Sequence, residues 1–139
     1  MVDRDPVGKW TDGPVTLIGD AAHPTYPVGS NGASQAILDA RVLGAQLVAH
    51  GVTPAALEAY ETEVRPRTTR ITLANRSAGP LGVLQTVEDR CGGVFARIED
   101  VMSHAELAEQ ADGYKRIAGF DIEALNARPA LIDVVRFPV

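Results

Sequence analysis

The first hydrophobic signal along the chain is Val15-Thr16-Leu17-Ile18, a largely β-branched run closed by Gly19-Asp20, and it predicts a short buried strand. Residues 1–14 are rich in Asp, Gly and Pro and read as loop. Residues 21–30 hold Pro24, Pro27 and Gly29, which continue neither strand nor helix. From Asn31 the period changes. Ala33, Ala36, Ile37, Ala40, Leu43, Gly44, Leu47 and Val48 share one face of a helix and predict that this face is buried. Ser30 or Asn31 supplies its N-cap, and His50-Gly51 a cationic last turn and a stop. Thr53-Pro54 opens a second helix through Leu57, Tyr60 and Val64. Pro66 is expected to kink or break it, with Ile71, Leu73, Ala74 and Ala78 resuming it until Gly79-Pro80. A shorter helix over residues 81–90 stops at Gly92-Gly93, and another is predicted over residues 94–101. Ser103-His104-Ala105-Glu106 is a capping box that opens a helix through Ile117, closed by Gly119. The last stretch, with Pro129 and Pro138, holds one short helix and an extended tail.

The pattern predicts a mainly α chain of four to six helices with one or two short strands. It divides into a strand–loop–helix part, residues 1–52, and a helical part, residues 53–139, within one compact unit. The predicted strand has no evident partner, so a partner is expected outside these residues or on a second copy. The composition supports one globular domain: 139 residues, 45% hydrophobic and 22% charged. A net charge of −5 disfavours nucleic acid, whose phosphates need a basic face. No apolar run reaches the roughly 18 residues of a membrane span, and no secretory leader opens the chain. The expectation is a soluble, cytoplasmic protein with neither a nucleic-acid nor a membrane partner. Cys91 is the single cysteine, so it forms no intrachain disulfide; it reads as a packed thiol.

The chemistry concentrates in the loop between strand and first helix. Gly19, Ala21 and Ala22 let a ligand approach closely. Asp20 stands where strands end and open sheets present ligand groups, and an ionised carboxylate accepts hydrogen bonds from hydroxyls. Gly29-Ser30-Asn31-Gly32-Ala33-Ser34 then opens a helix whose first amides lack intrahelical acceptors, which favours a carbonyl oxygen or a delocalised anion. No Lys or Arg occurs in residues 11–40, which points to a polar ring rather than a phosphate. The plain alternative is a strand–turn–helix corner whose Gly and Pro merely reverse the chain. Asp20 with His23 lacks a third metal ligand, so no metal site is expected. Ser30 or Ser34 with His23 and Asp20 lacks the G-x-S-x-G elbow of a hydrolase. Asp39 and Arg41, within an apolar helix, read as structural groups with buried partners. Arg65, Arg67, Arg70 and Arg76 read as a solvated face paired with Glu58, Glu61 and Glu63.

Gly19-Asp20-Ala21-Ala22-His23-Pro24, followed by Pro27-Val28-Gly29-Ser30-Asn31-Gly32-Ala33-Ser34-Gln35-Ala36, closely resembles the second FAD-binding motif of class A flavoprotein monooxygenases. These are the para-hydroxybenzoate hydroxylase-like enzymes, and the wording is closest to the phenazine-1-carboxylate and salicylate hydroxylase subgroup. Asp3-Arg4-Asp5-Pro6, Trp10, Leu38-Asp39-Ala40-Arg41, Tyr60-Glu61, Arg65-Pro66-Arg67, Leu73-Ala74-Asn75-Arg76 and the tail from Gly119-Phe120-Asp121 to Leu125-Asn126-Ala127-Arg128-Pro129 agree with it. The resemblance implies the C-terminal region of an α/β, Rossmann-like FAD-binding fold. It implies FAD as cofactor, with NAD(P)H as reductant, O2 as co-substrate and an aromatic small molecule as the species hydroxylated. Asp20 would accept from the ribityl chain, and Pro27 would line the flavin. Gly29, Ser30, Asn31 and Gly32 would wrap the ring, with the amides of Gly32, Ala33 and Ser34 at its N1–C2 carbonyl edge. No residue here is implied to be catalytic in its own right. The family's G-x-G-x-x-G, which holds the ADP half of FAD, occurs nowhere in the chain. The isolated chain is therefore expected to bind FAD weakly or not at all and to be inactive, and to associate with a second copy or with the preceding part of the enzyme. The alternative is a non-catalytic helical module that self-associates.

Overall fold

A computed structural model describes residues 4–77 and 79–130. Two short strands, β1 (Thr11–Asp12) and β2 (Val15–Thr16), form an antiparallel hairpin that pairs Thr11 with Thr16 and Asp12 with Val15. The turn is Gly13-Pro14, and Gly13 takes a φ of 55°, a left-handed value that a side chain disfavours. Three expectations are corrected here. Residues 1–14 are not all loop; the strand is two residues long with Val15 61% exposed; and its partner lies within the chain. Apolar composition marked the strand, but its partner Thr11-Asp12 is polar and joined by so tight a turn that loop residues conceal it.

Five α-helices follow among the described residues: α1 (Gly32–His50), α2 (Pro54–Arg76), α3 (Gly82–Cys91), α4 (His104–Ala118) and α5 (Ile122–Asn126). α1 and α2 form a helical hairpin through the short connection at Gly51–Thr53, and Pro54 takes the first-turn place where its missing N–H costs nothing. α2 is one continuous helix through Pro66, not the kinked or broken pair expected. Pro66 is exposed, while Tyr60, Val64, Thr68 and Ile71 on the other side are buried. Packing along that stripe offsets the lost backbone bond. The helix expected over residues 94–101 is a single 3-10 turn, Ile98–Asp100. The Ser103 capping box forms as read, with Ser103 Oγ accepting from the Glu106 amide and Gly119 closing α4 in the left-handed region. α3 likewise stops at left-handed Gly92. The expected extended tail around Pro138 lies outside the described residues.

The core is centred on Trp10, Ala22, Val42, Tyr60 and Val64, with Val7, Leu17 and Leu43 packed against it. Trp10 meets the rings of His23 and Tyr60 at centroid separations of 5.6 and 6.0 Å. Glu61 Oε2 accepts from the Thr11 amide at 2.8 Å, which ties the hairpin to α2.

The face of α1 is the largest departure. The expected apolar stripe is substantially outside: Ile37 is 64% and Val48 75% exposed, and Ala33 and Ala40 are exposed too. The stripe that turns inward is Asn31, Gln35, Asp39 and Val42. Each polar member has a specific partner there, so burial follows hydrogen-bond satisfaction rather than hydrophobicity. Gln35 Nε2 donates to the Ala118 carbonyl at 3.1 Å, and Asn31 Nδ2 donates to Tyr114 Oη at 3.0 Å.

Candidate functional site

The loop between β2 and α1 is built from two 3-10 turns, Gly19–Ala21 and Pro27–Gly29. Gly19 has a φ of 59° and is buried, and a side chain there would enter contact with Ala36 of α1. The turn therefore lies against the opening of α1. Its position is set by Asp39, one of the most buried residues in the chain, whose Oδ2 accepts from the Gly19 amide at 2.9 Å and meets His23 Nε2 at 2.6 Å. The Arg4 guanidinium donates to the Ala21 carbonyl at the other end of the turn. Asp20, held between these anchors, is exposed.

The second turn is fixed from α4. Tyr114 Oη donates to Asn75 Oδ1 at 2.8 Å and accepts from Asn31 Nδ2, so one phenol joins α2, α4 and the residue preceding α1. Burial raises the Tyr114 phenol, while the Asn31 and Asn75 contacts oppose that shift. Gly29 is buried directly above this junction. A Cβ built on it would stand 1.7 Å from Tyr114 Oη and 2.7 Å from Asn75 Oδ1, so the phenol occupies the space a side chain would need. Ser30 follows at a φ of 49°, the one non-glycine positive φ among the described residues.

α1 then begins without a side-chain cap. Asn31 takes the capping position, as expected of Ser30 or Asn31, but its amide is spent on Tyr114. The first intrahelical bond runs from the Gln35 amide to the Asn31 carbonyl at 2.9 Å. The amides of Gly32, Ala33 and Ser34 precede it and have no acceptor within the helix. Pro27, Ser30 and Ala33 are exposed, Gly32 and Ser34 half-buried, and Gly29 and Asn31 buried. The structure thus divides the nine predicted site residues. Gly19, Gly29 and Asn31 are buried beneath, while Asp20, Pro27, Ser30 and Ala33 are open to solvent, with half-buried Gly32 and Ser34 beside them. The donor set is three uncapped amides beside an acceptor carboxylate, with no cation in residues 11–40, and it suits an uncharged or anionic ring carrying carbonyls and a hydroxylated chain.

Sequence reasoning missed Tyr114 and the Asn75 contact, which come from residues far along the chain; no local signal marks them. His23, which the sequence offers only beside Asp20, meets Asp39 of α1 instead. Sequence reasoning read the Arg65–Arg76 run as one solvated face. Arg65 does pair with Glu61 at 3.1 Å, but Arg67 lies 3.9 Å from buried Asp39 and Arg76 bonds Asp5 at 2.8 Å. Burial, then the charge of Asp39, pushes the Tyr60 phenol above its ordinary range beside the same cluster. A cleft of about 680 Å³ lies elsewhere, between the end of α2, α3 and α4, with Tyr114 in its wall.

The FAD binding domain family model matches residues 2–75. A phenazine 1,6-dicarboxylic acid hydroxylase of Lysobacter antibioticus is 58% identical over 76 residues, 55% of this chain and 19% of that protein. A 3-amino-4-hydroxybenzoate 2-monooxygenase of Streptomyces platensis is 37% identical over 134 residues, 92% of this chain and 31% of that protein. A 3-hydroxybenzoate 6-hydroxylase of Polaromonas naphthalenivorans is 44% identical over 87 residues, 62% of this chain and 22% of that protein. The chain therefore spans less than a third of the length of these relatives. No solved structure matches it. Because the family model covers more than half of the chain and includes the whole Gly19–Ser34 segment, the chain belongs to the FAD binding domain family of FAD-dependent aromatic monooxygenases, whose cofactor is FAD.

Proposed function

We propose that this chain forms one flank of the flavin site in an FAD-dependent hydroxylase of an aromatic compound, in the C-terminal part of a Rossmann-like fold. The observation that carries the reading is the exposed Asp20 carboxylate on a turn tied to α1 through Asp39, together with the uncapped amides of Gly32, Ala33 and Ser34 at the start of that helix. Asp20 would hold the ribityl hydroxyls, Pro27 would line the ring, and Gly29 to Gly32 would follow its edge. The three amides would face the N1–C2 carbonyl, where reduction places negative charge that a helix N-terminus stabilises. When bound, FAD supplies the redox chemistry: it takes a hydride from NAD(P)H and activates O2 for hydroxylation. The chain's own contribution is position. Asp39 and Tyr114 hold the two turns from beneath, so the polar groups above them are set before any ligand arrives, which lowers the ordering cost of binding. With no G-x-G-x-x-G in the sequence, the ADP half of FAD has no holder here, and the isolated chain is inactive.

The test is an amide NMR titration of the 139-residue chain with FAD, beside a fluorescence titration. We expect no micromolar binding, and at millimolar FAD shifts centred on Gly32, Ala33 and Ser34. Shifts centred elsewhere would refute the flavin-edge assignment, and micromolar affinity would refute the incompleteness of the site. The exposed Ile37 and Val48 on α1 favour a second reading, a module that self-associates through this face. A concentration-dependent dimer abolished by Ile37→Glu, with no shift at Gly32–Ser34, would support it instead.

A further inference from the structure

A second cleft, of about 470 Å³, opens between α1, α2 and the segment after α5, and it shares no lining residue with Gly19–Ser34. Its walls combine two chemistries. Leu38 of α1 and Leu125 of α5 supply apolar surface, and Arg41, Arg67 and Arg128 bring three guanidinium groups to the same space. Arg41 and Arg128 are exposed, whereas Arg67 keeps 22% of its side chain accessible. The Nε and Nη2 atoms of Arg67 are buried and have no hydrogen-bond partner among the described residues. Asp39 Oδ1 stands 3.9 Å from Nη2, beyond hydrogen-bonding range, and is itself unsatisfied. Glu63 is the one acid in the lining, and its Oε2 already accepts from Gln46 Nε2 at 3.0 Å.

The cleft is thus cationic in a chain whose net charge is −5. Burial lowers the Arg67 guanidinium from its ordinary value; Asp39 and Glu63 oppose that, and the charge of Arg128 adds to it. Three like charges line one space, two of them on the exposed side chains of Arg41 and Arg128. An acceptor placed among them would relieve the repulsion, and a carboxylate matches the planar fork of a guanidinium. The apolar wall distinguishes the ligand further. A fully hydrated inorganic anion gains nothing from Leu38 and Leu125, whereas an acid with an apolar body buries that body there. The volume falls within the roughly 300–1,000 Å³ range of small-molecule sites.

We propose that this cleft binds a small organic carboxylate, its apolar body against Leu38 and Leu125 and its carboxylate among Arg41, Arg67 and Arg128. The site does not depend on the flavin reading.

The experiment is an NMR titration of the full chain with sodium benzoate at constant ionic strength, with benzyl alcohol and inorganic phosphate as comparison probes. Benzoate is expected to give saturable shifts at Leu38, Leu125 and the side-chain Nε–H groups of Arg41 and Arg128. Benzyl alcohol, which keeps the ring and lacks the charge, and phosphate, which keeps charge and lacks the ring, are each expected to bind at least about tenfold more weakly. Arg41→Gln and Arg128→Gln replace exposed residues, so folding is retained, as an unchanged melting curve confirms; each is expected to weaken benzoate several-fold, and the pair by at least about tenfold. The proposal is overturned by absence of saturable benzoate binding, by equal affinity for either comparison probe, or by variants that bind as the parent does.

Discussion

Replacing Gly29 by Ala tests whether Tyr114 is the clamp that holds the loop before α1. The added Cβ would stand 1.7 Å from Tyr114 Oη and 2.9 Å from Tyr114 Cζ, distances no real contact tolerates. The phenol is the movable party, since the cleft beside it leaves room to swing out. In leaving it gives up the bond to Asn75 and the one from Asn31, each worth about 1 kcal/mol net. The buried amide groups of Asn31 and Asn75 then lose a partner, which adds about 1–2 kcal/mol. The expected cost is about 2–4 kcal/mol, a large share of the roughly 5–15 kcal/mol by which a domain is stable. For a chain of this size that corresponds to a fall in melting temperature of roughly 6–14 °C. Differential scanning calorimetry gives the number, and a double-mutant cycle gives the cause. Tyr114→Phe in the parent removes the same two bonds and leaves the same amides unpaired, so it should also cost about 2–4 kcal/mol, whereas in the Gly29→Ala background it should cost almost nothing, because the hydroxyl has already left. A Gly29→Ala protein that melts within about 1 °C of the parent, or additive effects of the two substitutions, would refute this account.

Asp39 is the other anchor. Asp39→Ala leaves the Gly19 amide and His23 buried without their acceptor, and should cost about 3–5 kcal/mol in urea denaturation. Asp39→Asn keeps one acceptor and should cost clearly less; equal losses would show that shape, not hydrogen bonding, matters there. At the start of α4, the hydrogen bond from Arg90, and then those from Ser103, hold the Glu106 carboxyl at about 2, below its ordinary 4.5. Folding therefore favours the ionised form, so this contribution is complete above about 4.5 and is lost as pH falls through about 2. Stability measured across that window should decline less steeply in Glu106→Gln, and an unchanged slope would rule the linkage out.

Much of this protein is written locally. The capping box at Ser103, the stops at Gly51, Gly92 and Gly119, and the first-turn Pro54 each act within one helical turn, and all stand where the sequence places them. The glycine-rich opening of α1 and the preceding acid are equally local, and so candidate residues can be named from the sequence alone. What could not be read is which surfaces meet. Hydrophobic periodicity assigned α1 its inner face by apolar count. Tertiary packing instead turns Asn31, Gln35 and Asp39 inward, because hydrogen bonds to His23, Tyr114 and the Ala118 carbonyl lower the cost of burying them, and these partners lie beside a 3-10 turn and on a helix up to 83 residues away. Pro66 shows the same limit in reverse: a local rule predicts a break, and the buried stripe of α2 overrides it. Residue type and near spacing decided what each segment can be and which polar groups it carries. Only long-range contacts, chiefly Asp39 beneath Gly19 and Tyr114 beneath Gly29, decided how those groups are held, since no short-range energy term connects residues so distant in the chain.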